Sequence, residues 1–497
     1  MNMKRKIDGI IFTGMSDINS IARPAGAVRV RTWLSQNNYD IEIIDYLIHF
    51  SELELEILCK NFIKPETIFV GISLTFLVWE GAFNNVNFLL KHIKENYPHV
   101  KTIFGGSESD LSNLYMKYVD NIIWGYAEDA ILHYLDFLTG KRSDNLNWIP
   151  YKESLLIDAE ADYKSDSSDL TIKWLKDDLL ETNYLPIEIS RGCIFRCKFC
   201  QYPLLGKKKT DYIRYENNLA EEFRYNWEQW GITNYSFQDD TFNDNIVKLE
   251  KVANAIAKSG INITYSAFLR ADLLAALPET IPMLIETGII AANFGIESLN
   301  IETKKIIGKG HDNEKQFEAI RNLKKQKNIY TFTGMIVGLP RETIESVENS
   351  QQWFFEQNRE VFNMWQWWPL GIRAHSITRK SEFDKNYIKY GYNILESEKF
   401  FSLWKNKYMD CFIAGDLAKK FNQEIKEKLR DDNSIISHWH QRGTTGMFEP
   451  AELVGLGFTI EEILNDKIDH NLFNSVTKKL KNSIQNYKIL KLQTIKK

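Results

Sequence analysis

Apolar positions along this chain follow two different periods, and the two take turns. IDGIIFT (7–13), DIEIIDY (40–46), IFVGISL (68–74), KTIFGG (101–106) and DNIIWG (120–125) are apolar runs of strand length. Stretches at 25–36, 51–63 and 80–96 lie between them with helical spacing. This alternation predicts an α/β fold that begins with an open, doubly wound, Rossmann-like sheet over residues 1–140. Residues 141–183 are polar and rich in Ser and Asp, without a sustained apolar period, and are expected to be a linker or cover segment.

A second array then starts. YLPIEIS (184–190), NYSFQDDTFND (234–244), INITYSAFLRADLL (261–274), AANFGIESLN (291–300), IYTFTGMIVGLPRET (329–343) and FNMWQWWPLGIRAH (362–375) read as strands, with helices such as 216–231 and 278–288 between them. Six such units predict a (β/α)6 partial barrel over 184–378, followed by a mostly helical region over 379–497. Polar residues gather where these strands end, at Asp239, Asp240, Arg270, Glu297 and Ser298, which is where α/β barrels build their sites.

Composition narrows the class. With 62 basic and 66 acidic residues among 497, no bulk charge holds the chain to nucleic acid or an anionic membrane. The basic end, KKLKNSIQNYKILKLQTIKK, is expected to be a solvated tail. Mean hydropathy is −0.34 and no apolar run reaches 18 residues, so no membrane span is expected. The apolar run IIF near the start is too short for a signal peptide, and five cysteines do not make a disulfide scaffold, so the expected compartment is the cytoplasm.

Three of those cysteines, Cys193, Cys197 and Cys200, fall within eight residues in SRGCIFRCKFCQYP. Buried core thiols do not suit a loop this polar, with Arg191, Gly192, Arg196 and Lys198. Structural zinc wants four ligands, and no fourth Cys or His lies nearby. Thiolates at i, i+4 and i+7 can instead hold three corners of a [4Fe–4S] cube and leave one iron open to a substrate or cosubstrate.

This C-x-x-x-C-x-x-C loop, with Phe199 before its last cysteine, resembles that of the radical S-adenosylmethionine (SAM) enzymes. The resemblance covers 184–375 closely. It implies that the open iron chelates SAM, whose reductive cleavage yields methionine and a 5′-deoxyadenosyl radical, with the electron supplied by a donor such as flavodoxin or ferredoxin. It further implies cosubstrate contacts from Phe199, from Asp239 and Asp240 of QDDTF, and from Arg270. GIES, with Glu297 and Ser298, resembles the strand that contacts ribose and carboxylate. Gly334, Ile336 and Gly338 of GMIVGLPRET resemble the adenine-contacting segment. QDDTF lacks the family's GGE form.

VGIS (70–73), IFGGSE (103–108) and WGYAED (124–129), in that order before the cysteine loop, resemble the cobalamin-binding domain that precedes one large group of these enzymes. Ser73, Gly105, Gly106, Ser107 and Glu128 are the candidate corrin contacts this implies. The D-x-H-x-x-G signature is absent: DINSIA (17–22) places Asn19 at the histidine position and Ala22 at the glycine position. With cobalamin the expected outcome is methylation of an unactivated carbon or phosphorus from methylcobalamin; without it, rearrangement, cyclisation or oxidation. A non-catalytic cluster or corrin sensor and a zinc-held interaction protein are the competing readings. Cys59 and Cys411 are too few for further clusters or an N-terminal cysteine triad, so one cluster is expected. His438 and His440 are expected to be surface or hydrogen-bonded. Trp365, Trp367 and Trp368 form either a buried last strand or a stacking platform. A small-molecule or natural-product-like substrate is expected.

Overall fold

In the computed structural model, which describes residues 6–14, 23–75, 77, 80–106, 116–159, 170–200, 211–375, 380–396, 401–429, 450–465 and 470–493, the chain divides into two units. One is Met1–Thr182 with Asn474–Lys497; the other is Asn183–Phe473.

The first unit is built on β1 (Gly9–Phe12), β2 (Ile41–Ile44), β3 (Phe69–Ser73), β4 (Lys101–Gly106), β5 (Asn121–Trp124), β6 (Ile149–Tyr151) and β7 (Ser154–Asp158). Their order in the sheet is β2-β1-β3-β4-β5-β7-β6. All neighbours are parallel except β6 and β7. The strands are apolar on both faces because helices cover both sides, as parallel sheets require. Helices α1 (Ala25–Gln36), α2 (Glu52–Phe62), α3 (Glu80–Asn96) and α4 (Glu128–Leu138) supply that cover. Ile10, Phe12, Val70, Ile72 and Phe104 pack with Leu55, Leu58, Leu89 and Leu90 in one core. Strand order reverses between β1 and β3, the position at which doubly wound sheets open a crevice beyond their strand ends.

Two expectations change here. Residues 141–183 are not only a linker, since β6 and β7 form a hairpin on the sheet edge, turning at Lys152 with φ 55°. Strands of three and five residues are too short to show a period. The basic end is no solvated tail either. Within the helix His470–Gln493, Ile484 enters the core, the Tyr487 hydroxyl accepts the Asp45 N–H at 2.8 Å, and Lys491, 4% exposed, pairs with Glu42. These three recur at helical spacing, so one face of a lysine-rich helix is buried. Ile484→Ala should therefore cost about 2–4 kcal/mol in urea unfolding of the full chain. Lys479→Ala, on the exposed face, should stay within about 0.5 kcal/mol.

The second unit carries β8 (Leu185–Glu188), β9 (Asn234–Gln238), β10 (Thr264–Leu269), β11 (Ile289–Glu297), β12 (Tyr330–Val337) and β13 (Met364–Pro369). They pair in sequence order, all parallel, and β8 and β13 are the two edges. This is the six-stranded partial barrel. Its inner face is divided along its height. Ala291, Tyr330, Phe332 and Met364, toward the strand starts, pack against Leu453, Phe458 and Ile463, and Ser266 Oγ accepts the Ala451 N–H at 3.1 Å. Toward the strand ends, the same parity gives Gln238, Phe268, Asn293, Gly295, Glu297, Gly334, Ile336, Gln366 and Trp368, all at least partly exposed. The region after 379 is not wholly helical: β14 (Asn393–Glu396) and β15 (Leu403–Lys405) form an antiparallel pair.

Candidate functional site

The cysteine loop leaves the end of β8 and is pinned from several sides. The Arg191 N–H donates to Tyr212 O at 2.9 Å, Lys198 N–H to Ile307 O at 2.9 Å, and Phe383 N–H to Lys198 O at 2.9 Å. Arg191 Nε lies 3.1 Å from both Glu188 carboxylate oxygens. Gly192 supplies a φ of 87° where the chain turns. Cys193 is buried, while Cys197 and Cys200 are partly open. Burial raises the Cys193 thiol pKa, against the nearby Thr241 hydroxyl, 3.4 Å from its sulfur. Arg270 Nη1 donates to Cys197 Sγ at 3.4 Å.

Among the described residues, no three His, Cys, Asp or Glu side chains gather at the spacing that holds one ion. A cube asks for something else, because each thiolate binds a different iron. The donor set fits that demand: three thiols on one loop, two of them accessible, with a guanidinium against one sulfur. Cys59 is in the first unit's core and Cys411 opens the helix Cys411–Lys428.

At the end of β9 the two aspartates differ. Asp239 is buried and engaged. It accepts from Ser190 Oγ at 2.6 Å and from Lys248 Nζ at 2.9 and 3.1 Å. Asp244 holds the same ammonium at 2.8 Å. Burial alone would lower the Lys248 pKa; the two carboxylates outweigh it and raise it. Asp239 is thus a brace and not an open cosubstrate contact. Asp240, by contrast, is exposed to solvent yet surrounded by protein, and that crowding together with the Asp239 charge pushes its pKa up to about 7.

Arg270 is likewise committed: it forms a two-pronged pair with Asp272 (2.9 and 2.5 Å) and stacks 3.9 Å from the Phe195 ring centroid, besides meeting Cys197. Its place is beside the cluster loop. Glu297 ends β11 at a bulge with φ 65°, a left-handed conformation for a non-glycine residue. Its carboxylate is 3.2 Å from Lys309 Nζ, which also donates to Gly295 O at 3.1 Å. A Cβ at 295 would stand 2.7 Å from both partners, so only glycine lets this ion pair lie over the strand. Phe199 is half-buried, with Lys309 Nζ 5.8 Å from its ring.

Ser298 does not face the open space. It is fully buried and donates to Glu342 Oε1 at 2.5 Å. Burial pushes the Glu342 pKa up to about 8. The neutral carboxyl thereby ties the end of β11 to the turn after β12, where the Tyr392 hydroxyl donates to Gly338 O at 2.7 Å. Gly338 has φ 101°, and a Cβ there would strike Trp404 at 2.5 Å. Gly334 and Ile336 do line the open inner face.

In the first unit, Ser73 and Gly105 pair at the ends of β3 and β4. Gly106 has φ 107°, and an added Cβ would meet Thr75 Oγ1 at 2.8 Å. Glu128 is buried and paired with Arg29 at 2.6 Å, joining α4 to α1, so it is not open to a ligand. Asn19, Ala22, Ser107, His438 and His440 lie outside the described residues.

Sequence reasoning missed Lys309, Thr241, Lys248 and Glu342. Lys248 and Glu342 carried a signal only in retrospect, as charged residues at positions that helix and turn packing bury. For Glu342 the pH behaviour is decided by the sign of its shift. The unfolded state loses this proton near pH 4.5 and the folded state near 8, so folding stability declines as pH rises through that interval. Glu342→Gln should remove the decline: its Tm difference from wild type should grow in its favour between pH 5 and 8, whereas Glu342→Ala should be destabilised throughout.

Residues 187–354 match the radical SAM superfamily. An uncharacterised methyltransferase of Pyrococcus horikoshii is 26% identical over 331 residues, 63% of this chain and 69% of that protein. The bacteriochlorophyllide d C-8(2)-methyltransferase of Chlorobaculum tepidum is 28% identical over 152 residues, 29% of this chain and only 33% of that enzyme. The structure of the radical SAM methyltransferase TsrM from Kitasatospora setae, with cobalamin and a [4Fe–4S] cluster bound, aligns at TM-score 0.64 and 14% identity over 96% of this chain and all of that one. Among the described residues no helix is long and apolar enough to cross a membrane. The three-thiol loop at the first strand of a six-stranded partial barrel lies within the segment that matches the radical SAM superfamily, and a doubly wound sheet precedes it.

Proposed function

We propose that this chain is a cobalamin-dependent radical SAM methyltransferase acting on a small molecule. The observation that carries the reading is the loop of Cys193, Cys197 and Cys200, which offers three thiolates and no fourth among the described residues. When bound, a [4Fe–4S] cluster there supplies the single electron, taken from a donor such as flavodoxin or ferredoxin, that cleaves SAM; a corrin supplies a methyl carrier.

This chain's own residues then have separable tasks. Arg270, held by Asp272, sets a positive charge against the Cys197 sulfur. The Thr241 hydroxyl stands 3.4 Å from the Cys193 sulfur. Glu297 and Lys309 present opposite charges side by side, which suits the zwitterionic amino-acid end of SAM, and Asp240 offers a reachable carboxyl for an ammonium. Gly334 and Ile336 leave room for adenine on the inner face. Ser73, Gly105 and Gly106 stand at the strand ends of the first sheet, the side on which doubly wound folds bind ligands, and are the described residues proposed for the corrin. The pairing of two such units favours this reading over a radical rearrangement without cobalamin or a sensor, since a sensor needs no adenosyl pocket.

Anaerobic reconstitution should give the absorbance of a single [4Fe–4S] cluster, and dithionite with SAM should then yield 5′-deoxyadenosine. Cys197→Ala should lose both, by at least a hundredfold in product. Purification with hydroxocobalamin should retain corrin, read from its spectrum. Stoichiometric zinc, or a cluster that never cleaves SAM, would sink the enzymatic reading; a corrin-free protein that still cleaves SAM would sink only the methyl carrier.

A further inference from the structure

Between β11 and the helix Asn313–Gln326 lies a short helix, Ile301–Ile307, that buries a lysine. Lys304 is 1% exposed, and among the described residues its ammonium bonds to no carboxylate. It donates instead to Asn313 Oδ1 at 2.6 Å and to Gln316 Oε1 at 3.1 Å, both neutral amide oxygens. Taking a full positive charge out of water without an opposite charge in contact is unfavourable. An apolar side chain would suit the place better, since Ile307, one turn on along the same helix, is fully buried. Burial lowers the Lys304 pKa to about 8; Asp272 and Glu297 oppose that shift, while Lys309 and Arg270 add to it. The penalty to folding is therefore complete below that value, where the ammonium stays charged, and fades as pH rises. Positions that break a packing rule in this way are expected where function requires it.

The bonds of Lys304 lead into the site. Gln316 Nε2 also donates to Gly310 O at 2.9 Å, and Asn313 Nδ2 to Leu299 O at 2.8 Å. The Lys309 N–H donates to Lys304 O at 3.0 Å. Lys304 thus gathers both ends of the segment that brings Lys309 to Gly295 and Glu297. The same segment borders the cluster loop, because a Cβ at Gly308 would stand 3.9 Å from Cys197 Cα. Among the charges that act on Lys304, the cations Arg270 and Lys309 join it against the carboxylates Asp272 and Glu297. This corner therefore carries a positive excess.

We propose that Lys304 is a positioning residue for the cosubstrate: its buried charge fixes the segment that carries Lys309 and keeps this corner receptive to the carboxylate of SAM. Lys309 is already paired with Glu297, so a second carboxylate arriving there meets a like charge. The excess charge of Lys304 offsets that repulsion from behind, without touching the ligand. This rests on the reading that the barrel binds SAM, and it adds a residue that acts on the site from within the framework.

The test uses the full-length, anaerobically reconstituted protein with its iron content measured. SAM binding is read by equilibrium dialysis and Tm by circular dichroism, each at pH 6.5 and pH 9. Lys304→Met removes the charge and retains an unbranched chain. At pH 6.5 its Tm should equal or exceed that of wild type, while its SAM dissociation constant rises about fivefold or more. At pH 9 wild-type Lys304 has largely lost its proton, so the two affinities should converge. Lys304→Gln, neutral but able to hydrogen-bond, should share the loss at pH 6.5, which separates charge from hydrogen bonding. The inference is overturned if Lys304→Met binds SAM as wild type does at pH 6.5, if its loss is the same at both pH values, or if Lys304→Gln retains wild-type affinity. Failure of the broader reading would be seen in the wild-type protein itself, as one that holds no cluster or binds no SAM.

Discussion

A partial barrel can be open at one end only if it is filled at the other, and that constraint organises the second unit. Six parallel strands expose an inner face along their whole length, and an unfilled apolar interior would lose the packing that stabilises the sheet. The segment Pro450–Leu464 meets this need from the strand starts, where Leu453, Phe458 and Ile463 close on Ala291, Phe332 and Met364. Above that layer the same inward positions change character, to Gln238, Asn293, Glu297 and Gln366. The polar upper wall is affordable because the lower layer already supplies the hydrophobic contact. The cysteine loop sits at the open end for the same reason, since a cosubstrate has to enter there.

Charges near that end are managed by pairing. Lys248 is fully enclosed, and its ammonium persists because Asp239, Asp244 and the Thr241 carbonyl surround it. Removing one partner from such a group is far more damaging than never having it. The bracing passes directly to the cluster loop: Asp239 also holds the Ser190 hydroxyl, three residues before Cys193, and Thr241 meets Cys193 itself. Glu342 solves the opposite problem by giving up its charge. A neutral carboxyl can be buried between Ser298 and the Gly338 turn, and Tyr392 and Trp404 close over that turn from the C-terminal region.

Much of this was legible in the sequence and some was not, for physical reasons. Period-two apolar runs separated by helical ones are a property of the chain, so both sheets and the six-strand count could be read directly. The three-thiol spacing is equally local. What could not be read is which member of a polar pair faces the interior. Asp239 and Asp240 are neighbours with the same chemistry, and only Lys248, brought in by the following helix, decides that one is a brace and the other stays open. Arg270 and Ser298 sit at strand ends as expected, but their partners Asp272 and Glu342 turn them toward the framework. The short hairpin β6–β7 and the buried face of the last helix were hidden, one by its length and the other by the lysines around it.

The Glu297 position shows how a local irregularity serves the site. Regular pleating would alternate side chains strictly, yet the register slips between Gly295 and Glu297 and the backbone adopts φ 65°. Such a conformation costs free energy in any residue bearing a Cβ, on the order of 1–3 kcal/mol. It persists because Lys309 holds both the carboxylate and the Gly295 carbonyl, while Ser298, the next residue, is anchored by Glu342. The strained residue is therefore fixed on either side. A carboxylate placed this way keeps its orientation before any ligand arrives, so little further ordering is needed when one binds.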